Sequence, residues 1–148
     1  MLWSFGLHGA FVLSPITEPT LLTAIDENIK ALEANQVIPN IVTKPFLDVF
    51  VNMGGVGMTI GLVIALLIFS RKESDRAISK LAFAPACFNI NEPLMFGLPV
   101  VLNPIYTLPL VIVPVICLVI AYLATSAGII AKTVVMVPWT TPPVISAF

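Results

Sequence analysis

Residues 93–131 read PLMFGLPVVLNPIYTLPLVIVPVICLVIAYLATSAGIIA, 39 residues without an acidic or basic side chain. A bilayer hydrocarbon core of about 30 Å is crossed by roughly 20 apolar residues in a helix. At about 1.5 Å per residue, one helix of this length overshoots that core. The run must break, and Asn103-Pro104 is the obvious place, because proline interrupts a helix and restrains the residue before it. Beyond that break the run predicts a transmembrane helix over 105–127, kinked at Pro109 and Pro114.

The rest of the composition agrees with a membrane solvent. The chain is 58% hydrophobic and 10% charged, with a mean hydropathy of +1.03. Soluble domains carry about 25% charged residues. The formal net charge of -1 supplies no basic field and excludes a nucleic-acid partner on that ground. Cys87 and Cys117 sit in apolar surroundings without CxxC spacing and read as core residues, not as a disulfide or a metal site. Met1-Leu2-Trp3 lacks the basic start of a secretory signal. The chain begins and ends inside apolar segments, so it reads as truncated at both ends.

Working outward, residues 1–16 are apolar and short for a span. Residues 17–45 hold Glu18, Asp26, Glu27, Lys30, Glu33 and Lys44, with Leu21, Leu22, Ile25, Ile29 and Leu32 at helical spacing. They predict an interfacial or extracytoplasmic segment carrying a short amphipathic helix. Residues 46–70 predict a transmembrane helix in which Gly57 and Gly61 have the small-xxx-small spacing of close helix packing. Residues 71–80 carry four of the seven basic residues, Arg71, Lys72, Arg76 and Lys80, and predict a cytoplasmic loop. Residues 81–102, interrupted by Pro85, Asn89, Asn91, Pro93, Gly97 and Pro99, predict a re-entrant hairpin lining a cavity. Residues 128–148 form a partial terminal segment that must leave the helix at Val137-Pro138-Trp139-Thr140-Thr141-Pro142-Pro143. The fold class is thus all-α integral membrane, with transmembrane helices and re-entrant broken hairpins.

Glu92 is the sharpest chemical feature. It is the last acidic residue of the chain and stands among apolar neighbours, where a carboxylate is costly and marks a site. The bland alternative pairs it with a buried base to hold the fold. Asn89 and Asn91 flank it, and carboxylate plus amides is how a protein reads sugar hydroxyls. His8, the single histidine, reads equally as a core residue and as a ligand, and alone it builds no metal cluster. Trp3, Phe88 and Trp139 could stack on sugar rings or anchor the fold. No Walker loop, GxGxxG, HExxH or nucleophile elbow is present. No cofactor is implied, and if a phosphoryl group is used, something else brings it.

Three blocks carry a resemblance. Trp3-Ser4-Phe5-Gly6-Leu7-His8-Gly9, then Phe88-Asn89-Ile90-Asn91-Glu92-Pro93-Leu94-Met95-Phe96-Gly97, then Val137-Pro138-Trp139-Thr140-Thr141-Pro142-Pro143 occur in that order. Together they resemble the enzyme IIC component of the lactose/cellobiose/N,N'-diacetylchitobiose-type phosphotransferase system. The resemblance implies part of a sugar-binding transport domain in a homodimeric, multi-pass permease of the bacterial cell membrane. It implies a disaccharide taken from outside and presented to a separate enzyme IIB. That partner, phosphorylated on cysteine with phosphoenolpyruvate as the original donor, would phosphorylate the sugar. His8 and Glu92 would line the sugar site with Asn89 beside them. The family's N-terminal dimerisation domain and last helices have no counterpart in these residues. Two other classes stay open: a proton- or ion-coupled secondary transporter in which Glu92 titrates, and a structural membrane subunit with no ligand.

Overall fold

The computed structural model describes residues 7, 9–100 and 102–146. Those residues form seven helices and no strand: α1 (Gly9–Glu33), α2 (Lys44–Phe50), α3 (Thr59–Phe69), α4 (Glu73–Cys87), α5 (Glu92–Gly97), α6 (Pro104–Ser126) and α7 (Pro143–Ser146). Among the described residues α6 alone is long and apolar enough to cross a membrane. Its 23 residues reach about 34 Å at 1.5 Å per residue, close to the hydrocarbon thickness. Asn103 caps it by accepting the amide of Ile105 at 3.1 Å, and Pro104 occupies the first turn, where a missing N–H costs nothing.

The core is the α3–α4 hairpin closed by α5. The inward face of α4 is Asp75, Ser79, Ala82 and Ala86, a 4-3-4 spacing of small or short side chains. Small residues let α3 approach closely and bury Val63 completely. Leu94, Met95, Leu98 and Val100 close the other side. In an apolar solvent such contacts stabilise by dispersion across a tight interface, since lipid is as oily as leucine. Asp75 is tied in by three hydroxyls: Ser70 donates at 3.5 Å, Ser74 at 3.3 Å and Tyr106 at 3.3 Å. The Tyr106 bond fastens the first turn of α6 to the start of α4.

Several boundaries differ from the sequence expectation, each for a local reason. Residues 46–70 are not one helix. The chain leaves α2 at Val51 and re-enters helix only at Thr59. Gly54, Gly55 and Gly57 have φ of +78°, +100° and +97°, backbone that an α-helix cannot contain. The glycines therefore serve a loop, and the Gly57/Gly61 packing motif is not used: nothing lies within 4 Å of where a Gly61 side chain would start. Residues 73–80, expected in a loop, are the first half of α4, with Glu73 and Asp75 in the first turn facing the positive end of the helix dipole. The amphipathic helix expected inside 17–45 begins at Gly9 and passes through Pro15 and Pro19, and Ile25, Asn28 and Ala31 are its buried face.

The glycine loop gives a direct test. A Cβ on Gly55 would stand 2.7 Å from Asn91 Cβ and 2.9 Å from the Asn89 carbonyl oxygen. Gly55→Ala is expected to destabilise the chain by about 1–3 kcal/mol through strain and overpacking. Gly61→Ala, inside a helix with open space around it, is expected to be neutral or to stabilise by up to about 1 kcal/mol. Thermal unfolding of both variants in detergent measures this, and equal midpoints for the two would contradict the loop assignment.

Candidate functional site

The segment between α4 and α5 does not continue a helix. Phe88 ends α4, Asn89 takes a left-handed φ of +62°, and Asn91 precedes α5. Asparagine tolerates that conformation better than most residues. Pro93 stands in the first turn of α5, so the turn Asn89–Asn91 cannot be absorbed into a longer helix from that side.

The two asparagine side chains are buried and their amides go to backbone. Asn89 Oδ1 accepts the Gly54 N–H at 2.8 Å. Asn89 Nδ2 donates to the carbonyls of Trp139 at 2.5 Å and Thr141 at 3.1 Å. Asn91 Nδ2 donates to the Val56 carbonyl at 2.9 Å. Thr59 Oγ1 donates to the Gly54 carbonyl and holds the other side of the same loop. One amide thus joins three segments: the glycine loop, the α4–α5 turn and the strap 137–142. With both hydrogens used, the Asn89 side chain has only a carbonyl lone pair left for a ligand.

Glu92 opens α5, half-buried, immediately after this turn. It belongs to the first turn of a six-residue helix. Phe88 is exposed and Trp139 is 55% exposed. His8 and Trp3 lie outside the described residues.

Beneath Asn89 a small cleft lies between α2 and the strap. Its walls include Asp48, Asn89, Trp139, Thr141 and Ser146, so it combines a carboxylate, hydroxyls and an indole; Glu92 lies outside its lining. Asp48 is held by Lys44 at 2.6 Å, one helical turn away, with both side chains largely buried. Sequence reading overlooked this pair, although its i,i+4 spacing was visible. It also overlooked Asn28, which is fully buried in α1. Asn28 donates to the carbonyls of Asn40 at 2.8 Å and Thr133 at 2.9 Å, and accepts the Asn40 amide at 2.9 Å. A polar amide with apolar Ala24, Ile25, Ala31 and Leu32 three and four positions away on the helix was the available signal. Among the described residues no group of three or more His, Cys, Asp or Glu side chains could hold a metal.

Asn89→Ala strips the partner from the Gly54 N–H and from two carbonyls. At about 1–3 kcal/mol for each buried group left unsatisfied, the loss is expected to reach about 3 kcal/mol. Hydrogen exchange at the Gly54 amide is expected to accelerate in that variant. Unchanged protection there would show that the bond does not hold the loop.

The family profile described as "Phosphotransferase system, EIIC" matches residues 1–114. The oligo-beta-mannoside-specific EIIC component of Bacillus subtilis is 44% identical over 144 residues, 96% of this chain and 33% of that protein. The cellobiose-specific EIIC component of Geobacillus stearothermophilus is 40% identical over 151 residues, 100% of this chain and 34% of that protein. Among solved structures, the transporter ChbC, the IIC component of the N,N'-diacetylchitobiose-specific phosphotransferase system, superposes with a TM-score of 0.92 at 38% identity. That match covers 98% of this chain and 34% of ChbC. The chain spans about a third of the length of these relatives. With the all-helical fold, the broken α4–α5 hairpin and the profile match in hand, this chain belongs to the EIIC family of the phosphotransferase system.

Proposed function

We propose that this chain supplies part of the sugar-binding region of a multi-pass permease in a bacterial cell membrane. The ligand is a disaccharide of the cellobiose, lactose or diacetylchitobiose class. The relatives' names carry those sugars: cellobiose for the Geobacillus protein, lactose for a Staphylococcus aureus relative 30% identical over 142 residues, N,N'-diacetylchitobiose for ChbC. The observation that carries the reading is the placement of Glu92. A carboxylate opens a short helix directly after a non-helical turn that buried asparagines fix to two other segments. Backbone so pinned keeps the carboxylate in one position, which directional bonding to a sugar hydroxyl requires.

In this mechanism Glu92 accepts a hydrogen bond from the hydroxyl to be phosphorylated and takes its proton as transfer proceeds. His8 contacts the same sugar. Asn91 and the remaining lone pair of Asn89 act at the site's edge. The phosphoryl group comes from phosphorylated enzyme IIB; the staphylococcal relative is itself named an EIICB component. Homodimerisation and the outward entry of the sugar belong to the same proposal. So does a cytoplasmic position for 71–80, which its four basic residues support.

Two measurements test this. A charge-assisted hydrogen bond contributes about 1.5–3 kcal/mol, so Glu92→Gln is expected to weaken disaccharide binding roughly tenfold or more. Phosphorylation in the presence of enzyme IIB is expected to fall further than binding. Equal, modest losses would leave Glu92 a binding residue only, and no loss in either would place the sugar elsewhere. Separately, Ser74→Cys, on the exposed side of α4, is expected to resist an impermeant thiol reagent in intact cells; ready labelling would invert the topology.

A further inference from the structure

Lys72, Arg76 and Lys80 repeat at i, i+4 and i+8: Arg76 and Lys80 share one face of α4, Lys72 is the residue that caps its start, and Arg71 comes just before. All four are exposed, and among the described residues none has a carboxylate within ion-pair distance. Asp75 is turned into the core, held by Ser70, Ser74 and Tyr106, which leaves Glu73 as the sole acidic side chain on the outer surface of this helix. Further along the same face the residues change character: Phe83 and Cys87 come three and seven positions after Lys80. Phe83 is 43% exposed and Cys87 partly so.

One helix face therefore runs from cations to apolar side chains within four turns. From Lys72 to Lys80 the rise is about 12 Å. The headgroup zone on one side of a bilayer is about 5–8 Å deep, and lysine and arginine stems extend the cations further toward water. A face with that polarity gradient matches a lipid leaflet: phosphate at the level of the cations, acyl chain at the level of Phe83 and Cys87. An acidic soluble protein would match the cations and leave the apolar half uncovered. We propose that the Lys72–Arg76–Lys80 stripe of α4 is a binding site for the headgroup phosphate of anionic phospholipid, with the apolar half of the same face against its acyl chain. Anionic lipid would then hold the α3–α4 hairpin, and through the Asp75–Tyr106 bond the start of α6, at a fixed depth. This goes beyond the sugar site and does not depend on it.

The experiment counts lipids on the full chain in uncharged detergent by native mass spectrometry, titrating phosphatidylglycerol against phosphatidylcholine. Wild type is expected to prefer phosphatidylglycerol, with the preference shrinking as salt rises. At roughly fivefold per cation near the surface, K72Q/R76Q/K80Q is expected to lose on the order of a hundredfold in affinity. K72R/K80R, which keeps the charge, is expected to bind like wild type and guards against a folding artefact. No preference in wild type, or a triple variant that still prefers phosphatidylglycerol, overturns the proposal. Equal loss in the charge-conserving variant does so too. So does displacement of the lipid by inorganic phosphate at matching concentration, which would make this a free-phosphate site. Retained lipid preference in the triple variant together with lost co-purification of a soluble acidic protein would reassign the stripe to a protein partner.

Discussion

Backbone that leaves the helix inside an apolar protein loses its regular hydrogen-bond partners, and neither lipid nor leucine can replace them. In this chain the replacements are asparagine side chains. Asn89 serves the glycine loop and the strap, Asn91 serves the glycine loop, and Asn28 serves the loop after α1 and the segment after α6. An amide is suited to this because it is uncharged, carries two donors and an acceptor, and mimics the peptide group it satisfies. A carboxylate in the same place could not donate to the carbonyls of Trp139 and Thr141. The irregular segments exist at all because these amides are there, and the Glu92 position exists because the segments do.

Around that frame the packing is simple. Small side chains along α4 admit α3, and α5 seals the remaining face. α6 stands mostly outside this cluster, touching it through Tyr106 and Leu110, with Ala121 and Thr125 its buried residues. Lys132 ties the segment after α6 to the N-terminal half, donating to the Ile38 carbonyl at 2.5 Å, while Thr43 and Thr133 share a hydroxyl contact at 2.5 Å. The chain beyond α6 is thus fixed at 132–133 by the N-terminal half and at the strap by Asn89.

Helical class and solvent were legible from residues 93–131, because the absence of charge over a defined length is a one-dimensional property. The helix from Pro104 was legible for a similar reason, since proline acts on its immediate neighbours. The glycine loop was not. Gly57 and Gly61 spell a packing motif, and only the positive φ values at Gly54, Gly55 and Gly57 distinguish a loop from it. The start of α4 was misjudged because charge in RKESDRAISK suggests a loop, whereas its helix signal lies in acidic residues at the first turn. At the site, Asn89 and Asn91 stood out by residue type. Their partners did not, because those partners are backbone groups 35 residues before and 50–52 residues after, and backbone has no letter in the sequence.

Those separations bear on how the protein is made. Asn28 waits for Thr133, 105 residues downstream, and Asn89 waits for Trp139. A chain emerges from the ribosome at about 5–20 residues per second, so the α3–α4 hairpin is available to form several seconds before the strap arrives. In that interval the glycine loop has its Asn89 acceptor, while the amide hydrogens of Asn89 have no carbonyls to meet. The nascent protein carries a half-assembled site whose completion is timed by translation of the strap.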